Sequence, residues 1–137
     1  MPRHVYLRAY MAGITVPSVL MLFILAFFCI VRLGYHFPQP IERGLVFPMA
    51  LVPNIWGLWN MLYIRLRRRA RISLGLFGAV VPLFVGPLAL MSAWALGFEI
   101  PPIVREAFAV TIALAVAAYY LVWKYIIGFF NRVLEIG

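Results

Sequence analysis

Four long apolar stretches constrain this chain more than any other feature. They cover residues 10–31, 45–64, 73–96 and 107–127, and none contains Asp, Glu or His. A helix satisfies its own backbone hydrogen bonds, and about 20 apolar residues are enough to cross the hydrocarbon of a bilayer. We therefore predict an all-α polytopic membrane protein, in which residues 1–137 form one integral domain built as a four-helix bundle.

The composition excludes the main alternatives to a membrane protein. Hydrophobic residues make up 66% of the chain and charged residues only 12%, whereas a soluble domain is about half apolar and about a quarter charged. Disordered chains have the opposite bias, towards polar and charged residues. The single cysteine, Cys29, excludes an intramolecular disulfide framework.

The distribution of basic residues predicts the orientation of the bundle. Nine of the twelve lie in the N-terminal segment, in the segment after the second stretch and near the C-terminus. Positively charged segments next to a span stay in the cytoplasm. We therefore predict that both termini are cytoplasmic. We interpret the net charge of +8 as a consequence of this topology, and we expect no nucleic-acid partner. Eleven arginines against one lysine indicate a GC-rich bacterial genome, so we expect the membrane to be a bacterial cytoplasmic membrane.

Two halves of the sequence resemble each other. Residues 33–38 (LGYHFP) match 96–101 (LGFEIP), residues 13–17 (GITVP) match 78–82 (GAVVP), and residues 56–60 loosely match 120–124. These matches indicate two tandem two-helix hairpins, over residues 8–65 and 71–127, related by an axis along the membrane normal. The alternative is chance, because Leu, Gly and Pro are common at the ends of membrane helices.

Prolines and small residues predict local features of the helices. Each proline removes a backbone donor, so we expect kinks in the second and third spans, and Asn54 is placed to bond a freed carbonyl or to bind a ligand. Small residues allow close approach of helices in lipid, so two ridges predict packing within the bundle or a homodimer seam. The prolines expected to kink the helices are Pro48, Pro53, Pro82 and Pro87. One ridge consists of Ala109, Ala113 and Ala117 on the fourth span, and the other of Gly75 and Ala79 on the third.

One group of aromatic and amide side chains is the main candidate site. Trp56, Asn60 and Tyr63 share a helical face, with Trp59 beside them. Together they form either an interfacial aromatic anchor or a wall that binds a small organic molecule or a lipid headgroup. Lys124 is the equivalent of Asn60 in the repeat. It either extends to the interface or faces Asn60 inside the bundle.

The arginine segment, a predicted cytoplasmic loop that runs from Arg65 to Ile72 after the second stretch, is a candidate for contact with anionic lipids. Basic side chains near a membrane surface attract anionic headgroups, and the alternative is a role in topology alone. The tail, residues 128–137, predicts a short interfacial helix. Its apolar face would carry Phe129, Phe130, Val133 and Leu134, with Asn131, Arg132 and Glu135 away from that face. The basic residues of the arginine segment are Arg65, Arg67, Arg68, Arg69 and Arg71.

The sequence carries no pattern typical of an enzyme. The apolar stretches lack carboxylates, and His4 and His36 are expected on opposite sides of the membrane, so we expect no metal site, cofactor or catalytic set. Cys29 is expected to be an apolar filler. Two functions stay open: a non-catalytic membrane component acting as an oligomer or accessory subunit, or a small-molecule or lipid transporter or channel acting as a homodimer.

Overall fold

Every regular element in the described part of the chain is helical. The computed structural model describes residues 4–36, 49–99 and 102–136, and in these ranges the all-α prediction is confirmed. The elements are α1 (Val5–Tyr35), α2 (Leu51–Ala70), α3 (Leu74–Ala79), α4 (Val81–Ala95), α5 (Pro102–Glu106), α6 (Phe108–Leu121), the π-helix π1 (Val122–Ile127) and α7 (Gly128–Val133).

Three helical segments are long and apolar enough to cross a membrane. They are Val5–Tyr35, Leu74–Ala95 and Phe108–Val133, and they correspond to the first, third and fourth apolar stretches. The helix α2 does not belong to this group, because four arginines occupy its last six residues. The start of the second stretch, including Pro48, lies outside the described residues. The chain is therefore a membrane protein with three membrane-length helices in its described part.

The helices α1 and α2 pack antiparallel through two glycines. A Cβ atom on Gly13 would lie 2.6 Å from the carbonyl oxygen of Trp56 and 2.8 Å from the Cα of Gly57. A Cβ on Gly57 would collide with the ring of Tyr10, and the Tyr10 hydroxyl donates a hydrogen bond to the Oδ1 atom of Asn54. Because the obstacle at Gly13 is backbone, this crossing requires a glycine.

A second antiparallel pair is formed by α3–α4 against α6–π1. A Cβ on Gly78 would overlap the indole of Trp123, and one on Gly75 would lie 2.8 Å from the ring of Tyr120. Further along, Gly86 lies against the side chain of Ile112. The three glycines thus let one helix of this pair approach the large side chains of the other.

The third apolar stretch is not one uninterrupted helix. Val80 separates α3 from α4 and lies two residues before Pro82, which occupies the first turn of α4. The Leu83 backbone N–H donates to the Val80 carbonyl at 3.1 Å, an i to i+3 bond. The start of α3 is capped by Ser73, whose hydroxyl accepts from the Leu76 N–H at 3.3 Å. Pro87 lies inside α4 and Pro53 in the first turn of α2.

The core consists of two buried clusters. The first contains Ala9, Ala12, Ile64 and Ile136 and joins the start of α1 to the end of α2 and to the C-terminal tail. The second contains Trp56, Val81, Trp123 and Ile127 and joins α2 to the second antiparallel pair. The first cluster therefore lies where α1 begins and α2 ends, and the second lies near the start of α2, against α4 and π1.

The C-terminal tail packs against α1 and α2. The helix α7 continues directly from π1, and beyond it Ile136 is 3% exposed against α1 and α2. Asn131, which the sequence places away from the apolar face, is buried, while Phe129 and Val133 are exposed. The interfacial helix therefore stays a prediction: Phe129 and Val133 are available to face lipid, while the buried face of α7 carries Asn131, which bonds to Asn60 on α2.

Candidate functional site

Four of the five candidate residues lie together on α2, and Lys124 lies on π1. The side chain of Asn60 is fully buried and that of Trp56 nearly so, while Trp59 and Tyr63 are half-buried and Lys124 is exposed. The face predicted from the i, i+4, i+7 spacing thus turns into the protein at Trp56 and Asn60.

The amide of Asn60 is held by two other parts of the chain. Its Nδ2 atom donates to the carbonyl oxygen of Ala9 at 2.7 Å and to the Oδ1 atom of Asn131 at 2.8 Å. Asn131 returns the contact, because its Nδ2 donates to the Oδ1 of Asn60 at 3.1 Å. Both Asn60 amide hydrogens and its oxygen are therefore used. A buried amide without partners would cost about 1–3 kcal/mol, so this closed network stabilises the meeting point of α1, α2 and α7.

Lys124 does not face Asn60. Its Nζ atom lies 5.5 Å from the ring centroid of Tyr120 and 5.2 Å from that of Tyr125, within the range of cation–π attraction. The alternative in which Lys124 is buried opposite Asn60 is therefore wrong. The two positions that align in the sequence have opposite environments, and the partner of Asn60 is Asn131.

A buried aromatic cluster links the two antiparallel pairs. The ring of Trp56 lies 5.5 Å from that of Trp123 and 4.9 Å, edge to face, from that of Tyr119. The indole N–H groups of Trp56 and Trp123 are buried and have no acceptor among the described residues. Trp123 lies in π1, a helix type that is frequent at functional sites.

Trp59 and Tyr63 pack against α3. The Nε1 atom of Trp59 donates to the carbonyl oxygen of Phe77 at 2.8 Å. The rings of Trp59 and Tyr63 lie 4.9 Å and 5.6 Å from that of Phe77. In this structure both side chains therefore connect helices within the protein, which adds an internal role to the predicted interfacial one.

The arginine segment is mostly helical and not a loop. The helix α2 extends to Ala70, and only Arg71, with a φ of 47°, lies beyond it as the C-cap. Positive charges in the last turns of a helix are stabilised by its dipole. The side chains of Arg65, Arg69 and Arg71 are exposed and that of Arg67 is half-buried, while Arg68 lies in the helix.

Asn54 has structural partners in the first turn of α2. It accepts from the Tyr10 hydroxyl, and its Nδ2 donates to the Ala50 carbonyl at 3.3 Å. That carbonyl lies four residues before Asn54 and next to the one that Pro53 leaves without a donor. The amide thus joins the start of α2 to α1.

The two small-residue ridges have different surroundings. Gly75 and Ala79 on α3 are buried within the second antiparallel pair, where Gly75 faces the ring of Tyr120. Ala109, Ala113 and Ala117 on α6 are exposed, and α6 has no buried residue. The alternative in which this alanine ridge packs inside the bundle of one chain is therefore wrong.

An apolar groove of 530 Å³ lies between α4 and α6. Its walls include Val85 and Ala89 on one side and Ile112, Ala115 and Tyr119 on the other. Among the described residues, Glu99 is the only carboxylate that lines it. No sequence pattern predicts this groove directly, although Gly86, which also lines it, lies where the two helices approach closely.

Metal ligands do not gather in the described part of the chain. No three of its His, Cys, Asp or Glu side chains lie close enough together to hold a metal ion. Cys29 is exposed on α1, so it does not fill space inside the protein as expected. His4 precedes α1 and His36 follows it, at opposite ends of a 31-residue helix.

Comparisons with protein-family models, with curated proteins and with solved structures found no match for this chain.

Proposed function

We propose that this chain is a non-catalytic component of a bacterial cytoplasmic membrane, which acts as an oligomer or as the accessory subunit of a larger complex. The observation that supports this proposal is that the interior polar side chains already form hydrogen bonds within the chain. Asn60, Asn131 and Trp59 bond to other parts of the same chain, so they are engaged in holding the helices together. Apart from the buried indole N–H groups of Trp56 and Trp123, the polar groups available for function in the described part of the chain lie on the surface.

Two surface features suit contact with other molecules. The first is the exposed arginine segment at the end of α2, which suits anionic lipids or an acidic partner. The second is the exposed alanine ridge of α6, because small residues allow another helix to approach closely in lipid. An oligomer or a foreign membrane subunit would bury this ridge.

We also propose that α2 crosses the membrane in addition to the three longer helices, which makes four spans in total, with both termini in the cytoplasm. The helix α2 packs antiparallel along the first half of α1. When α1 crosses the membrane, α2 therefore lies at the same membrane depth as that half of α1. The end of α2 then lies on the same side as the start of α1. The two tandem hairpins are supported by the matching glycines Gly13 and Gly78, since each packs against the second helix of its own hairpin.

A second candidate is a homodimeric transporter or channel for a small molecule or lipid. The groove between α4 and α6 favours it, because Tyr119 lines the groove and contacts Trp56 in the buried aromatic cluster. The unpartnered indole N–H groups of this cluster are donors for a ligand with an oxygen acceptor. Proton coupling is disfavoured, because the apolar stretches contain no carboxylate.

Native mass spectrometry of the protein, released gently from its own membranes, separates these functions. A stoichiometric foreign subunit or a self-oligomer without a small molecule is the expected result for the membrane component. A dimer that retains a reproducible small molecule would favour the transporter instead. A monomer without a bound partner would contradict both.

A further inference from the structure

A second groove lies on the surface where the start of α1 meets the middle of α2. It has a volume of 370 Å³ and is lined by Tyr6 from α1 and by Leu58, Met61, Leu62 and Arg65 from α2. Tyr6 and Leu58 are more than half exposed. The groove therefore opens on the outer surface of the helices and not into the core, and none of its residues belongs to the buried amide network.

The lining of this groove changes from apolar to cationic along one face of α2. Leu58, Leu62, Arg65 and Arg69 follow one another at i, i+4, i+7 and i+11, so they lie on the same side of the helix. At about 1.5 Å per residue, the face extends over roughly 16 Å. Its apolar end lies towards the middle of α2 and its cationic end at the C-terminus of the helix.

The charge of this face identifies the chemistry that fits it. Arg65 has no ion pair with a carboxylate among the described residues, and its guanidinium presents a planar fork of donors suited to the oxygens of a phosphate. A second copy of this chain is a poor occupant, because each copy has twelve basic and only four acidic residues. A molecule with an anionic head next to an apolar chain matches both ends.

We propose that this groove binds one anionic phospholipid. The acyl chain lies against Leu58, Met61 and Leu62, and the phosphate contacts Arg65, with Arg69 one turn further along the helix. This inference rests on the proposed function, since it assigns the lipid contact of the arginine segment to a defined site. It adds two features that a diffuse basic surface lacks: one bound lipid and a dependence on the apolar groove.

Native mass spectrometry on the purified full chain tests the proposal. The protein is equilibrated in detergent with equal amounts of phosphatidylglycerol and phosphatidylcholine, and the bound lipids are counted. The unmodified chain is expected to retain one phosphatidylglycerol in preference to phosphatidylcholine. Arg65→Gln should lower this preference about fivefold, the size expected for one basic residue near an anionic surface.

Matched variants separate the groove from general surface charge. Arg105→Gln removes the same charge from an exposed arginine on α5, and it should leave lipid retention unchanged. Leu62→Trp fills the groove without changing the charge, and it should also lower retention. Because all three positions are outside the buried clusters, unchanged thermal unfolding should show that each variant is folded. In a separate competition, inorganic phosphate should not displace the lipid.

Three results would overturn the proposal: equal retention of the two lipids, an equal loss in Arg105→Gln and Arg65→Gln, or full retention in folded Leu62→Trp. These outcomes leave the proposed function open to its own test. A foreign subunit that copurifies from native membranes would support the membrane component even if the groove holds no lipid.

Discussion

The second half of α1 is the more apolar of its two halves, yet only the first half is buried. The four buried residues of the helix are Ala9, Ala12, Gly13 and Pro17, all in its first half. From residue 18 onwards no side chain is buried, and large residues such as Phe23 and Phe27 are 70% and 61% exposed. In lipid, apolarity does not drive one helix onto another, so close contact depends on small residues and polar bonds. The first half has both.

The same comparison applies to α3 and α6. Both carry small residues at helical spacing, but only those of α3 meet large side chains of the same chain, at Trp123 and Tyr120. The alanines of α6 are exposed. We define the closed end of the molecule as the buried region formed by Ala9, Ala12, Asn60, Ile64, Asn131 and Ile136. The open side comprises α1 from residue 18 and the exposed face of α6.

The largest expected effect comes from Gly78, at the tightest contact between α3 and π1. Gly78→Ala should destabilise the protein by about 3 kcal/mol or more, because the added Cβ overlaps the indole of Trp123 and extra volume in a packed core forces shifts. Unfolding in mixed micelles, followed by circular dichroism, measures this change.

The matched control is Gly34→Ala on the open side, where nothing lies within 4 Å of the added atom. It should be neutral or slightly stabilising. If Gly78→Ala and Gly34→Ala unfold alike, α3 does not pack against Trp123 as described.

A smaller effect is expected from Trp59, which joins α2 to α3. Trp59→Phe keeps an aromatic ring near Phe77 but removes the donor to its carbonyl oxygen, so the free energy of unfolding should fall by about 1 kcal/mol. Trp94→Phe changes an indole that is 80% exposed and should have no measurable effect. Equal losses in the two variants would show that the Trp59 hydrogen bond contributes nothing.

The smallest effect is expected from Lys124. Lys124→Met removes an exposed charge whose contacts among the described residues are the two tyrosine rings, so the melting temperature in detergent should stay close to that of the unmodified chain. Asn60→Met, at the position that aligns with it in the repeat, should lower the melting temperature clearly. A large shift for Lys124→Met would mean that the lysine has a buried partner.

The sequence predicts the helical segments well and the tertiary pairs poorly. The apolar stretches locate the three membrane-length helices to within a few residues, except that α1 and the last helix extend further at their ends. Asn60 stands out because polar residues are rare in these stretches. Its partner Asn131 was missed because it lies in the tail, among exposed and basic residues, and only the folding of the tail onto α1 and α2 brings the two amides together.

The glycines illustrate the same limit. Gly13 and Gly78 stand out as matching positions in the two halves, but their need for close contact follows from the backbone of α2 and from Trp123. In the same way, the alanine ridge of α6 satisfies the sequence criterion for packing and is exposed in the structure. A small-residue spacing predicts that a face suits close contact; it does not identify the partner.

The most direct test of the account is a double-mutant cycle between Asn60 and Asn131. Each single change to Leu leaves the other amide with a buried unpaired group, whereas the double change removes both. The free energies of unfolding in bicelles should therefore be non-additive, with a coupling of about 0.6 to 1.7 kcal/mol. The control cycle pairs Asn131 with Asn54, which bonds elsewhere, and should be additive. Additive losses for Asn60 and Asn131 would contradict the closed end and the antiparallel arrangement built on it.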